Sequence, residues 1–369
     1  MSRRVVLIGG GHAHIEVIRC WAADPPERAS LTILDPNPKP IYSGMVPGYI
    51  AGQYDRASLE IDLERLCERA GGSYVRASVS AIDAEERRLE RSDGAVSDYD
   101  IASMDIGSTV AGRELPGVAE LSLPTRPIAD FLDRADRLLE RSLGAAVEPD
   151  PILVVGGGAG GVEIAFCLES RLRGRSGAPV KVELLTRNRD LLAGAAGSAI
   201  AAVERQASKR GIRVHRGCRV VELREDSLLL DDGRRLAAGA VIWVTGPAAH
   251  PLARESRLPT DERGFVRIES TLQVVGNEDL FAVGDCASLE GMKKAGVYAV
   301  RSGPLLDGNI RARLAGGPLR NYMPQHDFLS LLNVGDGQAI GTKWGVTLKG
   351  RPIMWLKDRI DRAFMRKYR

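Results

Sequence analysis

A run of glycines and a distant aspartate near the start of the chain could together hold a dinucleotide. The glycines at 9–11 follow a short apolar run and precede a stretch with helix character, and Asp35 ends the next apolar run. Glycine lets the backbone N–H groups at a helix start approach a pyrophosphate without a Cβ atom in the way. An acid at the end of the second strand can accept hydrogen bonds from ribose hydroxyls. We therefore expect Gly9, Gly11 and Asp35 to bind an adenine dinucleotide.

The first segment departs from the usual three-glycine pattern at its third position, which is His14. A histidine there requires some widening of the contact between helix and strand. His12 and His14 could donate protons or contact a bound cofactor. The alternative is that each simply hydrogen-bonds to backbone, and the sequence leaves both interpretations open.

A second segment carries the complete pattern, with Gly156, Gly158 and Gly161 after the apolar run 151–155. A helix-forming stretch and another strand-like run follow. Two such segments in one chain predict two nucleotides, and the usual pairing is a resident flavin with a visiting NADH or NADPH.

Thr186 and Arg187 stand where the second segment would carry its acid. An acid there would repel a 2′-phosphate, whereas an arginine can bind one through charge-assisted hydrogen bonds, each contributing about 1.5–3 kcal/mol. NADPH is therefore permitted. A solvated Arg187 without a role is the alternative, and the preference between NADH and NADPH stays open.

Composition excludes several other classes of protein. The net charge of +3 does not indicate a nucleic-acid partner, and the five cysteines never form a CxxC pair, which argues against a zinc site or a disulfide scaffold. The apolar run at the N-terminus is too short for a signal peptide, and no stretch reaches the roughly 18 residues of a spanning helix. We expect a cytoplasmic protein without a metal site.

Four stretches carry a family resemblance over nearly the whole chain: GGGHAH at 9–14, YSGMVPG at 42–48, AGVYAVR at 295–301 and the tail that begins WLKD at 355. With them, the chain resembles the pyridine nucleotide-disulfide oxidoreductase superfamily. It is nearest to the type II NADH dehydrogenase-like members, and among these to the FAD-dependent group associated with selenide, water dikinase. The segments 244–246 and 280–285 also resemble superfamily motifs.

The resemblance implies roles for individual residues. The FAD-binding positions would be Gly9, Gly11, Asp35, Gly107 and Asp285, with Ala295 and Gly296 opening a helix beneath the flavin ring. The NAD(P)H-binding positions would be Gly156, Gly158, Gly161, Glu163 and Gly246. Glu163 and Lys294 are the expected catalytic residues. Lys294 would stabilise reduced flavin, although Lys293 and Lys294 could equally be a solvated pair.

The predicted fold class is α/β, with two Rossmann-like dinucleotide-binding domains and a small C-terminal unit. The FAD domain is expected to be discontinuous, over 1–118 and 250–317. The NAD(P)H domain would occupy 119–249 and the C-terminal unit 318–369.

The missing thiols point to a reaction class. Dithiol members of the superfamily carry a CxxxxC pair beyond the first segment or a CxxC pair in the NAD domain, and neither is present. Cys286 follows Asp285, but a buried inert thiol is the favoured interpretation. We expect hydride transfer from NAD(P)H to FAD and then electron transfer to a quinone-like acceptor. The alternatives are a selenium or sulfur compound or a protein partner as acceptor, and a redox-sensing flavoprotein.

The tail 355–369 has helical periodicity, with an apolar stripe at Leu356, Ile360, Ala363, Phe364 and Tyr368. From Lys357 onwards, six basic residues stand against two acids. This pattern resembles an amphipathic helix that lies on a membrane, and it predicts peripheral contact with the inner face of the cell membrane. Packing of the stripe against the protein's own C-terminal unit or against a second subunit is the alternative, and a homodimer is not excluded.

Overall fold

The computed structural model describes residues 2–143, 150–173, 181–325 and 327–369. Two parallel five-stranded sheets form its centre. The strands of the first sheet are β1 Arg3–Ile8, β2 Ala29–Leu34, β3 Ser73–Val75, β7 Ile101–Met104 and β19 Leu280–Ala282. Those of the second are β9 Leu123–Pro124, β10 Ile152–Val155, β11 Val182–Leu185, β12 Arg213–His215 and β16 Ala240–Trp243. Their spatial orders are β19-β7-β1-β2-β3 and β12-β11-β10-β16-β9, and the two sheets confirm the predicted α/β class.

The sequence of the central strands explains why they are parallel and covered on both faces. All four residues of β10 and of β11 are buried, as are the last four of β1. Continuous apolar runs of this kind are typical of strands that helices cover on both sides. Strand β19 pairs with β7 in parallel, so residues beyond 250 join a sheet that begins at residue 3.

Helices cover both sheets and connect their strands. The helices are α1 His12–Ala23, α2 Val46–Ile50, α3 Leu63–Arg69, α4 Val118–Leu121, α5 Ile128–Leu143, α6 Ala159–Arg173, α7 Gly197–Lys209, α8 Leu252–Glu255, α9 Gly296–Ala315 and α10 Arg351–Arg366. Short 3-10 turns lie at Ser43–Met45, Arg56–Ser58 and Gly284–Cys286. Within the described ranges, no helix combines the length and the apolar character needed to cross a bilayer.

Among the described residues, three antiparallel three-stranded sheets accompany the two parallel sheets. Their strands are β4 Val79–Asp83, β5 Arg88–Arg91, β6 Val96–Asp98, β13 Val220–Leu223, β14 Ser227–Leu230, β15 Arg235–Ala237, β21 Ser330–Asn333, β22 Ala339–Lys343 and β23 Val346–Gly350. Two short pairs link distant parts of the chain, β8 Thr109–Val110 with β17 Pro247–Ala248 and β18 Val266–Arg267 with β20 Ala287–Ser288.

The C-terminal helix α10 packs its aromatic side chains into the protein. Phe364 and Tyr368 are buried, and the Phe364 ring lies 4.3 Å from that of Tyr42 at an interplanar angle of 25°. Lys357 is also buried, although the sequence analysis counted it among the cations of a membrane-facing helix. Ile360, by contrast, is 43% exposed. The structure therefore shows Phe364 and Tyr368 packed against the protein itself, which was the alternative for this stripe.

The packing of α10 can be tested with two substitutions on the same helix. Phe364→Ala removes a buried ring and leaves a cavity, so we expect it to lower the free energy of unfolding by about 3 kcal/mol. Ile360→Ala, a matched control on an exposed position, should lower it by less than about 1 kcal/mol. Urea denaturation of the full chain gives both values. Equal effects of the two changes would show that α10 does not pack as described.

Candidate functional site

The first glycine turn joins β1 to α1 and leaves no room for side chains. Gly9 has φ +92°, and a Cβ atom there would lie 2.6 Å from the carbonyl oxygen of Asp105. A Cβ on Gly11 would lie 2.1 Å from Cγ of the Asp105 side chain. Both glycines therefore permit close packing against Asp105, as the tight turn of a dinucleotide-binding unit requires.

Asp35 lies at the end of β2 and contacts this turn directly. Its Oδ2 accepts a hydrogen bond from the N–H of Gly10 at 2.5 Å, and its Oδ1 accepts one from Asn37 at 2.7 Å. Burial raises the pKa of the carboxyl group. The predicted ribose-binding acid is therefore at the edge of the first turn, and it also stabilises that turn.

Asp285 brings the second predicted FAD motif to the same place. It belongs to the turn Gly284–Cys286 after β19, and its Oδ2 accepts a hydrogen bond from Nη2 of Arg126 at 2.9 Å. A Cβ on Gly284 would lie 2.3 Å from Oδ1 of Asp105. Asp105 thus lies between two turns far apart in sequence, and the sequence analysis did not identify it. The sequence feature that could have identified it is an acidic residue directly after a buried strand and two residues before Gly107.

The two histidines of the first turn differ in their surroundings. His14 is fully buried, and its ring nitrogens lie 2.7 Å from the carbonyl oxygen of Gly9 and 2.8 Å from Oγ of Ser103. Burial lowers the pKa of both His12 and His14 to about 4, so both rings are neutral at physiological pH. The contact with Gly9 fits the backbone-bonding alternative for His14.

His12 has a buried polar atom that the described residues leave without a partner. Its Nε2 makes no hydrogen bond in this part of the chain. The ring lies 5.4 Å from that of Tyr42 and 5.8 Å from that of Phe364. An unpaired buried nitrogen beside the glycine turn suits a site whose remaining hydrogen-bond partner is a ligand. Together with the glycine turns, it indicates that these residues fit FAD.

The glycines of the second turn have two different structural roles, close packing and exposure to the cleft. A Cβ on Gly156 would lie 2.1 Å from the carbonyl oxygen of Val244, and one on Gly161 would lie 1.8 Å from that of Gly156. At Gly158, in contrast, a Cβ atom would meet no heavy atom within 4 Å among the described residues. The first and third glycines therefore permit close packing of strands and helix, while the middle one faces open space.

A cavity of about 1090 Å³ runs along this second turn. One end is polar and is lined by Thr186, Arg187, Asn188 and Arg219. The other end, below α2 and α5, is mainly apolar and is lined by Val46, Pro47, Ile128, Phe131 and Ile164, with Glu163, Arg126 and Lys294. Gly156, Gly158 and Gly246 line the middle of the cleft, as expected for NAD(P)H. One cleft thus joins a nucleotide-binding turn to an apolar chamber.

Thr186 and Arg187 stand at the polar end with different exposures. Thr186 is buried, and its Oγ1 accepts a hydrogen bond from the N–H of Asn188 at 3.2 Å. Arg187 is exposed. The side chains that line this end of the cleft are neutral or basic, which suits an anionic group on the bound nucleotide.

Lys294 lies where the cleft meets the start of α9. Its Nζ donates a hydrogen bond to the carbonyl oxygen of Ala287 and lies 4.0 Å from the centre of the Phe265 ring. Burial lowers the pKa of this ammonium group. Ala295 is the N-cap of α9 and Gly296 its first residue. Lys294 is therefore held in place by protein contacts and is not one of a freely solvated pair.

Glu163 projects from α6 into the apolar end of the cleft. Its Oε1 accepts a hydrogen bond from the N–H of Asn333 at 2.8 Å. Part of its surface faces the cleft, but the surrounding protein raises the pKa of the carboxyl group to about 7 by burial, against the attraction of Lys357. A carboxyl group with this pKa exchanges protons readily at neutral pH.

Lys357 of α10 completes the cluster around Glu163. Its Nζ donates to the carbonyl oxygen of Gly44 at 2.8 Å and lies 2.9 Å from Oδ2 of Asp361. Burial favours the neutral amine, but Glu163 and Asp361 hold the pKa of Lys357 above its usual value. Tyr42 donates its hydroxyl hydrogen to Asp361 at 3.2 Å. Sequence analysis missed this cluster, because it treated Lys357 as part of a surface helix.

The cysteines are all free thiols: Cys20, Cys67, Cys167, Cys218 and Cys286. Cys286, the one that follows Asp285, is buried, and burial raises the pKa of its thiol to about 12. A thiol in that state is a poor nucleophile at neutral pH. In the described ranges, no three His, Cys, Asp or Glu side chains gather as a metal site would require.

The sequence is similar to those of known oxidoreductases. The sequence profile of the pyridine nucleotide-disulphide oxidoreductase family matches residues 3–303. An NADH dehydrogenase-like protein of Mycobacterium tuberculosis is 31% identical over 304 residues, which cover 77% of this chain and 73% of that protein.

Two further proteins resemble the chain over most of its length. The demethylphylloquinone reductase of Synechocystis is 25% identical over 370 residues, which cover 94% of this chain and 88% of that protein. The sulfide:quinone oxidoreductase structure of Aquifex aeolicus covers 100% of this chain and 92% of its own, with a TM-score of 0.85 at 18% identity. The chain belongs to the pyridine nucleotide-disulphide oxidoreductase family and is an oxidoreductase whose cofactors are FAD and NAD(P)H.

Proposed function

We propose that the protein transfers a hydride from NAD(P)H to FAD and passes the electrons on to a quinone-like acceptor without a redox-active disulfide. The observation that carries this proposal is the single cleft between the second glycine turn and the apolar chamber near Lys294. Demethylphylloquinone reductase and sulfide:quinone oxidoreductase, both named for quinone substrates, support the class of acceptor. Bound FAD would supply the chemistry that converts a hydride transfer into electron transfer to the acceptor.

The apolar chamber provides the surface for an aromatic ring. Val46 and Pro47 of α2 line it together with Phe131 of α5 and Ile164 of α6. Apolar walls exclude water from the reacting groups and strengthen nearby electrostatic interactions. Lys294 and the N-terminus of the long helix α9 place positive charge at this end of the cleft, where reduction creates negative charge.

Glu163 is the group that we assign to proton delivery. A quinone takes up protons when it becomes a quinol, and the donor must be close to the acceptor and protonated in a useful fraction of molecules. The raised pKa of about 7 meets the second requirement, and the position in the cleft meets the first. Lys357 and Asp361 form a buried ion pair, and the ammonium group of Lys357 interacts electrostatically with Glu163.

Glu163→Gln should separate the two half-reactions. We expect reoxidation of the reduced protein by a soluble quinone to slow roughly 100-fold, because the variant cannot donate a proton. Reduction by NAD(P)H should be little changed. In the unsubstituted protein the reoxidation rate should fall as the pH rises through about 7, where Glu163 loses its proton, and this decline should vanish in the variant.

Anaerobic stopped-flow absorbance of the flavin measures both half-reactions. Glu169→Gln, on the same helix but paired with Arg173 and Arg210 away from the cleft, is the matched control. Equal slowing of both half-reactions, or indifference of the unsubstituted protein to quinones, would rule out the assignment.

We further propose that NADPH is the preferred nucleotide. Thr186 is neutral and buried, so it does not repel a 2′-phosphate, and Arg187 and Arg219 line the same end of the cleft. A guanidinium group binds a phosphate through two parallel hydrogen bonds, which gives both affinity and orientation.

Arg187→Ala should lower kcat/KM for NADPH about 10-fold and leave that for NADH nearly unchanged, because only NADPH carries the 2′-phosphate. Arg189→Ala is the control, since Arg189 is exposed on the same loop but does not line the cleft. Steady-state kinetics with both nucleotides gives the ratio. A loss shared equally by NADH and NADPH would contradict the proposed preference.

We also propose that the C-terminal unit lies on a membrane surface through the hairpin β22–β23 and the start of α10, and not through the aromatic stripe of the tail. Trp344, Val346, Leu348 and Trp355 are each more than 60% exposed and form what we call the hairpin patch. Leu348 pairs with Gly341 of β22, and Ile353 of α10 packs against the same glycine. Strand β23 and helix α10 therefore meet beside the patch.

The charges around the hairpin patch suit an anionic bilayer. Nζ of Lys343 lies 4.1 Å from the Trp344 ring and Cζ of Arg359 lies 5.5 Å from the Trp355 ring. Arg205, Lys209 and Lys349 line a neighbouring cavity between α7 and β23. Tryptophan with nearby cations is the composition found at membrane interfaces.

Leu348→Glu should weaken binding to vesicles of equal parts phosphatidylcholine and phosphatidylglycerol by about 10-fold, because it places a charge in the apolar part of the interface. Val96→Glu, an exposed apolar position on β6, should leave binding unchanged. Flotation of vesicles with the full chain measures the bound fraction. Equal loss in both variants would point to general electrostatic effects and exclude the hairpin patch.

A further inference from the structure

The side chain of Asp105 occupies the space between the two FAD-binding turns. It is 4% exposed, and the missing Cβ atoms of Gly11 and Gly284 both point at its carboxyl group, at 2.1 and 2.3 Å. A group in this position is buried at the centre of the cofactor site.

The carboxyl group of Asp105 also lies at the N-terminus of α1. Its Oδ2 accepts a hydrogen bond from the N–H of Ala13 at 2.9 Å, and the N–H of His14 bonds to the same side chain. The N-terminus of this helix is the place where the pyrophosphate of a dinucleotide lies in a Rossmann domain. Asp105 and the pyrophosphate would therefore be immediate neighbours.

The charged groups around Asp105 oppose its ionisation. The side chains that act on it most strongly are Asp285, from the turn after β19, and Asp35, from the end of β2. The Cys286 thiol also faces it, and that group is neutral at physiological pH. Burial and these acids outweigh the helix N–H groups and raise the pKa of Asp105 to about 7. Two further negative charges on a pyrophosphate would raise it again.

We propose that Asp105 is a cofactor-binding residue that meets the FAD pyrophosphate as a neutral carboxyl group and donates a hydrogen bond to a phosphate oxygen. An ionised Asp105 would instead repel the phosphates at close range in a buried site. FAD binding is then coupled to the uptake of one proton by Asp105 whenever that residue is ionised beforehand. This coupling goes beyond the proposed function, since it involves neither NAD(P)H nor an electron acceptor.

The expected effect is a loss of FAD affinity with rising pH. Because the bound state requires the protonated side chain, the dissociation constant should rise about 25-fold between about pH 6.5 and pH 8.5, as the free protein loses the proton. Asp105→Asn keeps the shape and the donor but cannot ionise. It should bind FAD at pH 8.5 as tightly as at pH 6.5.

The measurement starts from the yellow holoprotein. Samples are diluted into buffers across this pH range at constant ionic strength, and free FAD is separated by ultrafiltration and quantified by fluorescence. Glu169→Gln is the matched control, because burial also raises the pKa of the Glu169 carboxyl group, whereas its ion pairs with Arg173 and Arg210 place it away from the FAD-binding turns, so the pH dependence of FAD binding should be unchanged. His12 and His14 stay neutral over the whole range and do not contribute to the slope.

Two outcomes would overturn the proposal. One is a dissociation constant of the unsubstituted protein that does not change with pH, which would mean that Asp105 stays ionised as a simple cap of α1. The other is a dissociation constant that still rises with pH in Asp105→Asn, which would mean that a different group takes up the proton. If the asparagine variant does not fold, Asp105→Ser, which cannot ionise either, takes its place, and a dissociation constant of the unsubstituted protein that does not change with pH still overturns the proposal. Failure of the protein to reduce quinones would leave this result untouched, so the two proposals fail separately.

Discussion

The close approach of backbone to backbone at the two glycine turns is the constraint on which the site depends. At Gly161 a Cβ atom would lie 1.8 Å from the carbonyl oxygen of Gly156, and at Gly9 it would lie 2.6 Å from that of Asp105. Such distances admit only hydrogen as a side chain. Because the turns stay tight, α1 and α6 begin directly at the ends of β1 and β10 with their N–H groups facing the cofactor sites.

Burial at these turns also explains the unusual state of the acids around them. Asp105 and Glu163 are both enclosed by protein, and burial raises the pKa of each to about 7. Their surroundings differ, however. Asp105 has two further acids nearby, whereas Glu163 has the ammonium group of Lys357. The same low-dielectric interior therefore lets both carboxyl groups hold a proton near neutral pH, one beside the first glycine turn and one in the cleft.

Helix α10 contributes side chains to the surroundings of the site. Lys357 reaches from α10 to the carbonyl oxygen of Gly44 and to Asp361, and Phe364 stacks on Tyr42. A buried charge is tolerated only when hydrogen bonds and an opposite charge compensate its lost hydration. Lys357 has both, so the position of α10 is coupled to the segment 42–45 and to Glu163. The same helix leaves Trp355 exposed on its opposite side.

Local patterns in the sequence determined the two nucleotide turns, the parallel strands beside them and Asp35 and Asp285, because glycine spacing and buried apolar runs act over a few residues. Residues that meet only through the fold escaped that reasoning. Asp105 lies between turns more than 250 residues apart in the chain, and Lys357 meets Gly44 across an even longer separation. The stripe of Phe364 and Tyr368 showed a helix with one apolar face, but periodicity cannot say whether lipid or protein covers that face. Only the tertiary structure decided this, because the covering residues, His12 and Tyr42, come from the other end of the chain.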